Sequence, residues 1–244
     1  MKAFWWFKEN KIAGMGRPGF NAVHWFDLPF DEAMVLGWIG QHSSGTYNLE
    51  AFQKHLAHYA PRCYKYYGYD ESVGQKQVDA FNSTESFRTI LQRMNERTGF
   101  LADFDLSSEE LRFNLNSNRL EDDIKFLKAK NVKRIVTLTE QHHQKDILQN
   151  HFDLHHFSIE DLGAPKVEQV RELAGVISYA QRKNEIIAVH CLAGIGRTST
   201  MLLGAHVLLG ESPDELASRI KERNPSFVFS GPQGEFLRSL AAFK

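Results

Sequence analysis

Hydrophobic residues recur along this chain with two different periods, and the alternation between them outlines its elements. Residues 3–15 (AFWWFKENKIAGM) read as an aromatic strand, a turn at Glu9-Asn10 and a second short strand. Gly14, Gly16, Arg17, Pro18 and Gly19 then interrupt regular structure. Helical spacing follows, with helices expected over 31–41, 49–60, 72–82 and 83–98. The last of these has an apolar stripe of Phe87, Ile90, Leu91 and Met94, with Gly99 as its stop. A short helix is expected near 107–115, where two serines and two glutamates suit a helix start.

From about 116 onward, strands and helices alternate. A helix over 120–130 ends at Asn131, and a strand covers 132–138 (VKRIVTL). A polar helix over 141–150 and a strand over 152–159 follow. Residues 167–182 carry Val170, Leu173, Val176 and Ile177 at helical spacing, and helices over 212–222 and 231–243 close the chain. Such alternation predicts an α/β fold: a central, mostly parallel sheet with helices on both faces.

Chemistry concentrates in EIIAVHCLAGIGRTSTMLLG, residues 185–204. Ile186 to Val189 read as a buried strand, the loop after Cys191 contains Gly194 and Gly196, and Met201, Leu202, Ala205 and Leu208 mark a helix. A strand, a glycine loop and a helix start aim backbone N–H groups and the positive end of the helix at one point, which suits a phosphate. The same surroundings favour a thiolate at Cys191, the nucleophilic form of cysteine. Arg197 can return its planar fork to grip two phosphate oxygens. Gly194 and Gly196 are both expected to supply positive φ and close approach, and Thr198 a hydroxyl for the departing sulfur.

HCLAGIGRTS resembles the signature loop of the cysteine-based protein tyrosine phosphatases: His-Cys, five residues, Arg, then Ser or Thr. Ser199 departs from it, since many members have a third glycine there, and is expected to adjust the helix start. The opening strand and KIAGMGRPG are similar to the start of small atypical dual-specificity phosphatases. The resemblance covers residues 1–20 and 116–244, so the expected organisation is a phosphatase core of 1–30 and 116–244 around a mainly helical insertion of 31–115. It implies a phosphate cradle of Leu192, Ala193, Gly194, Ile195, Gly196 and Arg197, with His190 supporting the cysteine and the loop.

Displacing phosphate from an alcohol or phenol needs a proton donor. The family carries an aspartate on a mobile loop, followed shortly by a proline. Asp161 and Pro165, in SIEDLGAPKVEQV, match that pattern, and Glu160 is a one-residue rival. Gln233, in a Gly-Pro-Gln turn, resembles the glutamine with which some members position the hydrolytic water. The resemblance implies a phosphocysteine mechanism through Cys191, Arg197, Asp161, Thr198 and Gln233, with no metal or other cofactor. Lysines inside the loop accompany activity on inositol lipids; here Leu192, Ala193 and Ile195 are uncharged, which favours a phosphorylated protein substrate. A phosphoprotein-binding module and a phosphatase of a non-protein phosphoester are the alternatives. A rhodanese-like sulfurtransferase would also use a cysteine loop, but gives no reason for Asp161 and Arg197 together.

Composition narrows the partners. The 244 residues carry a net charge of −1, so no basic field points to nucleic acid. Two cysteines, Cys63 and Cys191, argue against a disulfide scaffold and fit a reducing compartment. No apolar run has the length of a signal-peptide core or a membrane span, and a cytoplasmic protein is expected. His55, His58 and Cys63 could be read as metal ligands, but eleven scattered histidines make coincidence the better reading.

Overall fold

The computed structural model describes residues 1, 3–20, 28–40, 44–47, 49–80, 84–99, 101–105, 111–115 and 117–241. They form two compact units: Ala3–Pro18 with Asp122–Lys244, and Gly19–Glu121. The chain opens with β1 (Phe4–Lys8) and β2 (Ile12–Met15), an antiparallel pair turned at Asn10, which adopts a φ of 53°.

The unit Gly19–Glu121 then supplies α1 (Phe30–Gly40), β3 (Ser44–Tyr47), α2 (Leu49–Tyr66), α3 (Glu71–Ala80), α4 (Thr84–Thr98), β4 (Leu101–Asp105) and β5 (Leu111–Leu115). Trp38, Phe52 and Phe87 pack at its centre with ring centroids 4.6–5.4 Å apart. Arg93 of α4 donates to the buried Glu32 of α1 at 2.6 Å.

This unit is less helical than its sequence predicts. β3, β5 and β4 form an antiparallel three-stranded sheet. The helix expected near 107–115 is overturned at its second half, since Leu111–Leu115 is strand β5; Ser107 and Ser108 lie outside the described residues. Leu111, Phe113 and Leu115 alternate with Arg112 and Asn114, a period-2 pattern that outweighs the helix-start signal upstream.

The remaining elements are α5 (Ser117–Ala129), β6 (Val132–Thr137), α6 (Lys145–Leu148), β7 (Asp153–His156), α7 (Val167–Arg182), β8 (Ile186–His190), α8 (Gly196–Leu208), α9 (Pro213–Arg223) and α10 (Gly231–Ala241). Five strands make one sheet in the order β1-β2-β8-β6-β7, parallel throughout except at the edge strand β1. The expected polar helix over 141–150 contracts to the short α6. Gln144 has a φ of 59°, which no α-helix can contain, and only Leu148 of the helix is buried.

The two residue sets of β1 show that helices cover both faces of the sheet. Phe4 meets Phe126 of α5 at 5.2 Å, while Phe7 meets His206 of α8 at 4.8 Å and lies under Arg219 of α9. Successive side chains on a strand point to opposite faces, so α5 lies on one side and α8 and α9 on the other. Ile187 and Val189 of β8 pack with Val170, Leu173 and Ile177 of α7 and with Met201, Leu202 and Ala205 of α8 in one buried cluster. Burying each large aliphatic side chain there contributes about 1.5–3 kcal/mol.

Register then assembles the site. Met15 of β2 and Thr137 of β6 both stand opposite His190 at the end of β8. Three parallel strands therefore release their chains side by side at Gly16, Leu138 and Cys191, and the crevice at such strand ends is where open α/β sheets bind ligands.

Candidate active site

His190 is the last residue of β8, and Cys191 opens a loop that ends where α8 begins at Gly196. Gly194 has a φ of 77°, and a Cβ there would lie 2.5 Å from the Gly16 nitrogen and the Met15 carbonyl carbon. Only glycine satisfies both constraints. Gly196, also expected to need positive φ, does not; it starts the helix, and a Cβ there would lie 2.7 Å from Oε1 of Gln233. Its requirement is close approach alone.

The loop's carbonyls are held from behind. Trp5 Nε1 donates to the Gly194 carbonyl at 3.2 Å, and Asn224 Nδ2 donates to the same oxygen at 3.2 Å. The Arg17 backbone N–H donates to the Leu192 carbonyl at 3.0 Å. Among the described residues, no backbone carbonyl outside the regular elements accepts from the N–H groups of Leu192 through Arg197. Scaffold donors thus fix the loop carbonyls from behind.

Ser199 lies in the first turn of α8. It is buried inside α8, and its hydroxyl accepts from Asn224 Nδ2 at 2.9 Å. Asn224 therefore links the loop carbonyl to the helix side chain.

Cys191 is 3% exposed and Arg197 2% exposed. Arg197 Nη1 donates to Glu140 Oε2 and to the Ile159 carbonyl, both at 3.0 Å. Its Nη2 lies 2.9 Å from Asp161 Oδ1. Burial works against the Arg197 cation, but the charges of Asp161, a Cys191 thiolate and Glu140 outweigh it and raise its pKa. Asp161 and Glu140 thus share the arginine.

The segment carrying Asp161 is tied at both ends. The Asp161 N–H donates to Glu140 Oε1 at 2.7 Å, and Leu162, at a φ of 61°, donates its N–H to Asp161 Oδ1 at 3.1 Å. Gln233 of α10, 1% exposed, donates from Nε2 to the Gly163 carbonyl at 3.0 Å. Gln233 thus touches both the Asp161 turn and the start of α8. The hydroxyl of Thr198 is buried and has no hydrogen-bond partner among the described residues.

His190 is buried between Thr137 Oγ1, 2.9 Å from its Nε2, and the Cys191 carbonyl, 3.1 Å from its Nδ1. Burial, together with the charges of Arg17 and Arg197, pushes its pKa down to about 3. A neutral ring donates from Nδ1 to the Cys191 carbonyl and accepts the Thr137 hydroxyl at Nε2. Arg17, also buried, has its pKa lowered by burial to about 9.

Sequence reasoning assigned no role to Glu140, Asn224, Trp5 or Arg17. Glu140 lies just past β6, next to the cysteine-bearing β8, a placement that only the sheet order supplies. Trp5 packs on Gly14, its cross-strand partner, where a Cβ would sit 2.1 Å from the indole ring.

Part of the chain is similar to known proteins. Residues 112–211 match the model of a family described as DSP-PTPase phosphatases of polymorphic toxin systems. The tyrosine-protein phosphatase CDC14 of Saccharomyces cerevisiae is 32% identical over 120 residues, covering 47% of this chain. The chain spans only 21% of CDC14's length. Among solved structures, Tk-PTP in its active form is 24% identical with a TM-score of 0.45, over 50% of this chain and 86% of that one. PTPMT1 in complex with PI(5)P is 18% identical with a TM-score of 0.43, over 49% of this chain and 82% of that one. Over residues 112–211 the chain thus resembles the cysteine-based protein tyrosine phosphatases of the dual-specificity type.

Proposed function

We propose that this protein hydrolyses phosphoproteins through a phosphocysteine intermediate. One observation carries the reading: a buried cysteine, the Arg197 guanidinium and the Asp161 carboxylate converge on a loop whose carbonyls are tied back and whose amides are left for an anion. In the first step the Cys191 thiolate attacks phosphorus. Arg197 and the amides of Leu192 through Arg197 hold the non-bridging oxygens, and Asp161 protonates the leaving oxygen. In the second, water oriented by Gln233 and deprotonated by Asp161 attacks the phosphocysteine. Phosphate leaves, and the Thr198 hydroxyl donates to the sulfur as it regains its electron pair. His190 serves by holding the Cys191 carbonyl, not as a base.

Uncharged side chains at Leu192, Ala193 and Ile195 support a phosphorylated protein over a polyphosphorylated lipid. The cytoplasm is the proposed compartment; among the described residues no helix is long and apolar enough to cross a membrane.

The test is hydrolysis of an aryl phosphate by the wild type and by Cys191→Ser. Wild-type turnover should be blocked by vanadate and should survive a chelator, while the serine variant should be inactive. Activity that survives the substitution removes the thiolate mechanism. Tight capture of a phosphopeptide with no turnover by the wild type points to a binding module, and faster turnover of an inositol phosphate than of a phosphopeptide overturns the substrate class.

A further inference from the structure

We infer that Trp5 is a positioning residue for the phosphate loop: its indole N–H holds the Gly194 carbonyl and so aims the Ile195 amide at phosphate. Trp5 Nε1 and Asn224 Nδ2 each donate to that carbonyl at 3.2 Å, which fills the capacity of its two lone pairs. The Gly194–Ile195 peptide is planar and trans, so the Ile195 N–H projects from the edge opposite the held oxygen. Fixing the carbonyl therefore fixes the direction of the amide. The proposed mechanism gives that amide to a phosphate oxygen.

Trp5 is itself held for this task. Side chains alternate along β1: Phe4 and Trp6 meet at 5.0 Å on one face, while Trp5 and Phe7 meet at 6.4 Å on the other, the face that α8 covers. Gly14 stands opposite Trp5 in the β1–β2 register, and its missing side chain makes room for the indole ring to lie across β2. Two further contacts fasten the same hairpin to the loop. The Arg17 N–H donates to the Leu192 carbonyl at 3.0 Å, and a Cβ on Gly194 would meet Met15 and Gly16 at 2.5 Å. The indole is thus a fixed donor on a fixed strand.

A donor at the carbonyl end of a peptide does more than orient it. It polarises the unit and makes the N–H at the other end a stronger donor, by about 10–30% per bond. The coupling is reciprocal: if the indole bond strengthens phosphate binding, bound phosphate must strengthen the indole bond by the same factor. Packing of the ring on Gly14 carries no such coupling. Removing the N–H while keeping the ring therefore separates this role from support of the fold.

The inference rests on the loop after Cys191 as the phosphate site, and one set of measurements tests both. Inorganic phosphate is titrated into wild type, Trp5→Phe and a protein with 3-benzothienylalanine at position 5, which keeps the fused bicycle but has sulfur in place of the N–H. The chain has four tryptophans, and the indole N–H resonance missing from the spectrum of Trp5→Phe identifies that of Trp5. In wild type this resonance should move downfield as phosphate saturates the protein. The isostere should bind phosphate about 3- to 10-fold more weakly, the scale of one hydrogen bond, with a fall in Tm of no more than about 4 °C. Trp5→Phe, which loses part of the ring as well, should show the same loss of affinity with a larger fall in Tm. An indole resonance unmoved by saturating phosphate, or an isostere that binds phosphate as tightly as wild type, overturns the inference and leaves the site assignment intact. If phosphate fails to protect wild-type Cys191 from iodoacetate, the site assignment falls and takes this inference with it.

Discussion

Asp161 Oδ1 lies 2.9 Å from Arg197 Nη2, the nitrogen that the proposed mechanism assigns to a phosphate oxygen. With Nη1 engaged by Glu140 and Ile159, both nitrogens of the fork have protein acceptors. A phosphate entering the loop must therefore displace the Asp161 carboxylate from Nη2 or share that nitrogen with it. Displacement would release the acid at the moment when it is needed. Asp161→Asn keeps the shape and removes the competing charge, so inorganic phosphate should bind it about fivefold more tightly than wild type, the scale of one partly exposed ion pair. Arg197→Ala should weaken phosphate by more than about 10-fold. Calorimetric titration checks both, and an unchanged affinity in Asp161→Asn would show that the carboxylate does not compete.

The two loop glycines should fail differently. Gly194→Ala meets a φ of 77° and backbone atoms of Met15 and Gly16 at 2.5 Å, neither of which can yield. Strain of about 1–3 kcal/mol at that residue should distort the cradle, with loss of phosphate binding and of activity on every substrate. Gly196→Ala meets only the end of the Gln233 side chain. Phosphate should still bind, but Gln233 should shift, and breakdown of the phosphocysteine should slow relative to its formation. A pre-steady-state burst that is larger in Gly196→Ala than in wild type is the expected signature. Equal damage from the two substitutions would contradict it.

Asn224 offers a test of the scaffold behind the loop. Asn224→Leu leaves the Ser199 hydroxyl and the Gly194 carbonyl without this donor, at a cost of about 1–3 kcal/mol. A lowered Tm and weaker phosphate binding are expected together. Ser199→Gly, which removes one of the two acceptors, should soften the effect of Asn224→Leu, so the double variant should be less impaired than the sum of the singles. Strict additivity would mean that the two residues act separately.

Buried His190 and His206 should make stability fall as the solution is acidified. Burial holds His190 down to about 3, and burial holds His206 down to about 4 despite its hydrogen bond with Glu211. In the unfolded chain both titrate near the ordinary value of 6.5. Between about pH 6.5 and 4 the unfolded state takes up protons that the native state refuses, so stability is full above this window and falls as pH drops through it. Each histidine contributes a slope approaching about 1.4 kcal/mol per pH unit. Urea midpoints measured from pH 7.5 to 5 should decline accordingly. His206→Gln should flatten the decline, whereas a profile unchanged by that substitution would show that other groups control it.

The core of the fold was legible because its signals are local. The run from Ile186 to Val189, the glycines after Cys191 and the stripe from Val170 to Ile177 each specify an element without help from the rest of the chain. Parallel strands with helical crossovers then leave little choice of architecture. What could not be read depends on register or on distant pairing. β5 was mistaken for helix because its alternation covers only five residues and makes sense only beside β3 and β4. Glu140 joins the site because β6 stands next to β8 in a register that carries Thr137 opposite His190. Asn224 reaches Gly194 across thirty positions of sequence. Trp5 reaches the same carbonyl from the opposite end of the chain, and no local pattern announces either contact.

The most direct test of the account is to catch the intermediate. The protein is mixed with a phosphotyrosine peptide carrying radiolabelled phosphate, quenched in acid within the first turnover, digested and sequenced by mass spectrometry. The account predicts an acid-stable label on the peptide containing Cys191, more abundant in Gln233→Ala, where hydrolysis of the phosphocysteine should be slowed, and absent from Cys191→Ser. Turnover with the label on another residue, or turnover that continues in Cys191→Ser, would contradict it.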